Sequence, residues 1–114
     1  MSRATYLLKS DMDLLNHWAS YVRTMFRATP YLVGSVLTTP TWRDVDVRLI
    51  LDDDAYQRLA QQITVSLLDL SVSLWGRKAT GLPIDFQVQQ MTEANREFDG
   101  RRNALGLPAP KAGT

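Results

Sequence analysis

Asp44 and Asp46 stand one residue apart in the run DVDVRLIL, Asp44 to Leu51, which is otherwise an alternating apolar segment. A carboxylate withdrawn from water costs several kcal/mol unless something compensates its charge. Side chains alternate across a strand, so Asp44, Asp46 and Arg48 share one face, and Val45, Val47, Leu49 and Leu51 share the other. The run after Pro83 divides in the same way: Ile84, Phe86 and Val88 against Asp85, Gln87 and Gln89. Laid side by side, the two strands bring Asp85 to Asp44 and Asp46. Carboxylates gathered on one face repel one another unless a cation neutralises them. Oxygen donors suit a hard divalent ion such as Mg²⁺, bound at about 2.0–2.1 Å. The plainer alternative is a solvated polar face on a half-exposed sheet. Asp11/Asp13 and Asp52/Asp54 repeat the spacing, but both pairs fall where a helix opens and acids complement its dipole. Only Asp44/Asp46 needs another explanation.

The elements that must hold these residues are legible from periodicity. Residues 3–9 read as an edge strand or an extended lead-in. SDMDLLNHWASYVRTMF, 10–26, reads as a helix, with Ser10 as cap, Asp13 closing a capping box and Pro30 as the stop. Leu14, Leu15, Trp18, Val22, Met25 and Phe26 form its apolar stripe. YLVGS is a short strand ending at Gly34-Ser35, VLTTPTW a connection, and DVDVRLIL the second strand. A single long helix is expected from Asp53 or Asp54 to near Gly76, with Tyr56, Leu59, Ala60, Ile63, Leu67, Leu70 and Leu74 as its core stripe, widened by Val65, Leu68, Val72 and Trp75. GLPIDFQVQ supplies a third strand and TEANREF a last short helix. The order predicts an α/β (α+β) fold, a small mixed sheet of three to four strands with helices packed on one face.

Composition narrows the function classes. A chain of 114 residues suits one domain, read as residues 1–107, with 108–114 as a flexible tail. A net charge of +1 argues against a strongly basic nucleic-acid binder. Cysteine is absent, which excludes disulfides, thiolate metal sites and a thiol nucleophile. No stretch is long and apolar enough to span a bilayer, and the N-terminus lacks a signal-peptide core, so a cytoplasmic location is expected. The lone histidine, His17, flanks a helix stripe and reads as a surface residue. Trp42 reads as packing, with stacking on a base as the alternative. Arg101 and Arg102 read as a solvated tail, with a small phosphate or nucleic-acid contact as the alternative.

Gly34-Ser35, then Asp44-Val45-Asp46-Val47, and later Ile84-Asp85-Phe86, resemble in order and strand context the nucleotidyltransferase superfamily of DNA polymerase beta. Within it the chain looks most like the minimal, stand-alone nucleotidyltransferases. The resemblance spans Tyr31 to Val88 and implies the superfamily's fold. It also implies Mg²⁺-dependent transfer of a nucleoside monophosphate from an NTP to a hydroxyl acceptor, with release of pyrophosphate. Gly34 and Ser35 would then hold the triphosphate, and Asp44, Asp46 and Asp85 would ligate two Mg²⁺ ions. Asp85 would also help activate the acceptor, which could be protein, RNA or a small molecule. The chain departs from the family pattern in having no basic residue soon after Gly34-Ser35, and in carrying Arg43 before the first aspartate. Arg43 is read either as a phosphate contact or as a counter-ion that replaces the metal. The alternative function is a catalytically inactive protein of this fold, acting with a protein or nucleic-acid partner. A homodimer or partner subunit would complete the open face.

Overall fold

The computed structural model describes residues 5–97 and 100–107. Residues 108–114, read above as the tail, lie outside the described residues.

The first helix, α1 (Lys9–Phe26), buries Leu15, Trp18, Ala19 and Val22, which recur at helical spacing. Its start differs from expectation. Leu8 is the N-cap, and no side chain caps it. Asp13 pairs with Lys9 at 3.0 Å instead of closing a capping box. The helix stops before Pro30 because Arg27 adopts a left-handed conformation with φ 53°. Then follow β1 (Pro30–Val33), a single 3₁₀ turn at Ser35–Leu37, and β2 (Val45–Leu51). Later come β3 (Ile84–Gln90), a short helix at Met91–Glu97, and a two-residue strand at Asn103–Ala104.

The segment between β2 and β3 is the main departure. The single helix expected there is two, α2 (Asp53–Gln62) and α3 (Val65–Thr80). Ile63 between them is extended, with φ −142° and ψ 163°. Ile63, Thr64 and Val65 are consecutive β-branched residues, whose restricted χ1 lowers helix propensity. The cap of α2 is Asp52, which accepts from the Ala55 N–H at 2.7 Å, rather than Asp53 or Asp54. Together α2 and α3 form the crossover that a parallel strand pair requires.

The helix at Met91–Glu97 is α4, and Asn103–Ala104 is β4. The sheet order is β3-β2-β1-β4, with β2 parallel to β3, and β1 antiparallel to β2 and to β4. This is a mixed α/β fold with helices packed against a four-stranded mixed sheet among the described residues. The apolar face of the sheet offers Leu32, Val45, Val47, Leu49, Ile84 and Phe86, all fully or almost fully buried. They meet Leu15, Trp18 and Val22 of α1 in one core.

How α3 docks explains why three of its leucines face outward while Leu68 packs against the core. Leu67, Leu70 and Leu74 are 61%, 52% and 53% exposed, while Val72, Ser73, Gly76 and Thr80 are buried. The inward face is chosen by the free backbone edge of β3. Asp69 accepts from the Val88 N–H at 2.9 Å. The Ser73 hydroxyl accepts from the Phe86 N–H at 2.9 Å and donates to the Phe86 carbonyl at 3.3 Å. Arg77 Nε donates to the Ile84 carbonyl at 2.9 Å. Steps of four helical residues rise about 6 Å and steps of two strand residues about 6.6 Å, so the two series stay in register. Close approach also needs Gly76, where an added Cβ would lie 2.7 Å from Trp18 Cζ2.

The lead-in at residues 5–8 makes no strand, but the Tyr6 N–H bonds the Val36 carbonyl at 2.8 Å. At the other end Leu105 is 1% exposed and its N–H bonds the Pro30 carbonyl. Arg101, read above as tail, holds the Leu37 carbonyl at 3.0 Å. Among the described residues no helix is long and apolar enough to cross a membrane.

Candidate functional site

Strand register assembles the site. Val33 pairs with Asp46 across β1 and β2, and Asp46 pairs with Asp85 across β2 and β3. Gly34, just past β1, therefore lies against the Asp46 carboxylate. Its φ of 81° and ψ of −156° belong to glycine, and an added Cβ would overlap Asp46 Oδ2. Both constraints point to one requirement: only glycine fits here, because the Asp46 carboxylate fills the place a side chain would take.

Arg48, one step along the same face of β2, supplies the counter-charge. Its Nη2 lies 3.7 Å from Asp46 Oδ1 and 3.4 Å from Asp85 Oδ2. Its Nη1 donates to the Asp85 carbonyl at 2.7 Å and to the Val47 carbonyl at 3.2 Å. The Arg48 side chain is only 14% exposed, so its charge acts through a partly desolvated environment. Burial still pushes the Asp46 carboxyl above the usual range. Arg48 opposes that rise, while Asp85 and Asp44 add to it. Asp69 is also raised, first by burial. The Val88 N–H and Arg48 pull it down, and Asp85 pushes it up.

The remaining expected residues are placed less centrally. Asp44 is exposed, just ahead of β2, and reaches Asp46 through charge. Among the described residues, no three Asp, Glu, His or Cys side chains converge as a metal-holding group. Ser35 is half-buried beside Gly34, and its hydroxyl makes no hydrogen bond among the described residues. Arg43 is exposed and forms no ion pair among them, so the counter-ion to the acids is Arg48 rather than Arg43. Trp42 packs against the core, and His17 is exposed, edge-on to Tyr21.

Two residues of this electrostatic centre escaped sequence reasoning. Alternation places Arg48 on the acid face, but facing alone does not reveal how far a guanidinium reaches. Asp69 belongs to a helix, and no local pattern ties it to β3. A hollow of about 250 Å³ adjoins the centre, lined by Gly34, Asp46, Arg48, Gln89, Glu97 and Arg102. A wider one, about 510 Å³, lies beside Asp52, Asp53 and Asp54. Two of its acids have structural work, since Asp52 caps α2 and Asp53 accepts from the Thr92 N–H and hydroxyl.

No protein-family model, no curated protein and no solved structure matches this chain. Its class is therefore defined by its own geometry: a mixed α/β domain with a paired-aspartate centre on the polar face of its sheet.

Proposed function

We propose that this protein transfers a nucleoside monophosphate from an NTP to a hydroxyl acceptor, with Mg²⁺ as cofactor. The observation that carries the reading is the register of Asp46 beside Asp85, with Gly34 against the Asp46 carboxylate. The two carboxylates fit a cation, because they already share one positive group in Arg48. Asp46 and Asp85 would hold Mg²⁺, with exposed Asp44 joining from the rim. Bound there, the two expected ions would neutralise triphosphate charge as the in-line displacement proceeds.

The chain's own groups divide the remaining work. Gly34 lets its own backbone approach a phosphate, and the unengaged Ser35 hydroxyl donates to it. Exposed Arg43 meets phosphate charge at the rim. Asp85 accepts the proton of the acceptor hydroxyl as its oxygen bonds the α-phosphorus. The bond from the α-phosphorus to the bridging oxygen breaks, and pyrophosphate leaves. A protein, an RNA or a small molecule can present such a hydroxyl, and a second subunit would help to enclose it.

Arg48 favours a second reading, a nucleotidyltransferase-fold binding protein without catalysis, because an arginine already satisfies the aspartate pair. Incubation with each α-labelled NTP, Mg²⁺ and candidate acceptors separates the two. The enzyme reading expects label transfer that Asp46→Asn and Asp85→Asn each reduce at least a hundredfold. Absence of transfer, together with no calorimetric heat from any NTP with Mg²⁺, leaves the binding reading.

A further inference from the structure

The guanidinium of Arg48 occupies the place where a cation shared by Asp46 and Asp85 would stand. It is held there by two ion pairs and by Nη1 bonds to the Asp85 and Val47 carbonyls. An ion arriving alone must displace a positive group that is already well partnered. It would gain a pair whose two negative charges are half cancelled. Once an ion enters, like charge repels Arg48 from the carboxylates. The side chain has somewhere to go, since Arg48 also lines the hollow that runs past Gly34, where the phosphates are placed above. A guanidinium is a strong bidentate partner for phosphate oxygens.

We propose that Arg48 is a resident substitute for the metal, which excludes free divalent ions and yields its place only to a metal–triphosphate. Metal and nucleotide then load together, and Arg48 exchanges carboxylate partners for phosphate partners as they do. In this role Arg48 is a positioning residue when the site is empty and a phosphate contact when it is full. The inference rests on the metal reading of Asp46 and Asp85, and adds a binding order and a residue outside the expected set.

Mn²⁺ binding, followed by the loss of the free-ion electron paramagnetic resonance signal, tests it without any turnover. Wild-type protein should bind Mn²⁺ alone at least tenfold more weakly than Arg48→Met, and Arg48→Lys should stay close to wild type. Adding Asp46→Asn to Arg48→Met should abolish the gain, which locates the ion. Circular dichroism checks that Arg48→Met folds. A measurement on the wild type stands apart from that variant: the Arg48 Nε–Hε resonance should shift on adding Mg²⁺ with a non-hydrolysable NTP, and hold still with Mg²⁺ alone. Equal Mn²⁺ affinity in wild type and Arg48→Met overturns the role of Arg48 and leaves the metal site standing. Absence of Mn²⁺ binding in every variant, with an unmoved Arg48 resonance in the presence of Mg²⁺ and nucleotide, overturns both.

Discussion

At the scale of single residues, Gly34 and Asp46 constrain each other. Gly34 holds a conformation that other residues enter at a cost of about 1–3 kcal/mol, and any side chain there also collides with the Asp46 carboxylate. Gly34→Ala should therefore lose about 2–3 kcal/mol, read as a lower urea midpoint with an unchanged slope. Asp46 titrates in the opposite sense from most folded carboxylates. Its folded pKa lies above the unfolded value, so protonation favours the fold. That contribution is complete below the unfolded value and is lost as pH rises through the raised one. At pH 7 the ionised group thus costs stability in the metal-free protein. Asp46→Asn should raise Tm at pH 7 by about 1–3 °C, a modest figure because solvent screens the site. The gain should vanish near pH 3, where the wild-type carboxyl is itself protonated. Scanning calorimetry at both pH values decides this, and a lower Tm at pH 7 would show the Arg48 pairing to be dominant. The aspartates on the polar face were legible because strand alternation is a strict geometric rule. Arg48 as their counter-ion was not, because neighbourhood in sequence drew attention to Arg43, whose exposed position keeps it from the pair.

At the scale of elements, α3 is the informative case. Its Leu67, Leu70 and Leu74 repeat at helical spacing as cleanly as any core stripe, yet they face outward. Periodicity detects that a face exists, not which way it points. The deciding demand came from β3, whose outward N–H and carbonyl groups needed partners that leucine cannot supply. Ser73 satisfies both Phe86 groups and is itself 5% exposed. Ser73→Ala should cost about 1–3 kcal/mol, because it strands buried backbone polar groups while changing volume little. Faster amide exchange at Phe86 than elsewhere in β3 would identify that cause. The break at Ile63–Thr64 was written in three consecutive β-branched residues. An apolar pattern runs across that break and hides it.

At the scale of the whole molecule, the order of helices and alternating strands made the fold class readable in advance, whereas the strand order and the register of β2 on β3 come from the structure. The depth of each apolar residue was not, since depth depends on which elements meet. Two leucine deletions measure that difference. Leu49→Ala, at a fully buried position, should cost about 2–5 kcal/mol. Leu70→Ala, at a position 52% exposed, should change stability by less than about 0.5 kcal/mol. Similar losses from both would mean that α3 packs the other way round. The side-chain ladder from α3 onto β3 has a consequence for how this chain meets other copies of itself. A sheet edge is ordinarily a template on which a second chain can add its own strand, the first step toward fibrils. Here one edge is occupied by Asp69, Ser73 and Arg77, and the other is a strand of two residues. The IDFQV run of β3 is kept from recruiting neighbours for as long as α3 stays seated. Peeling that helix away, rather than unfolding the core, is the event that would start aggregation.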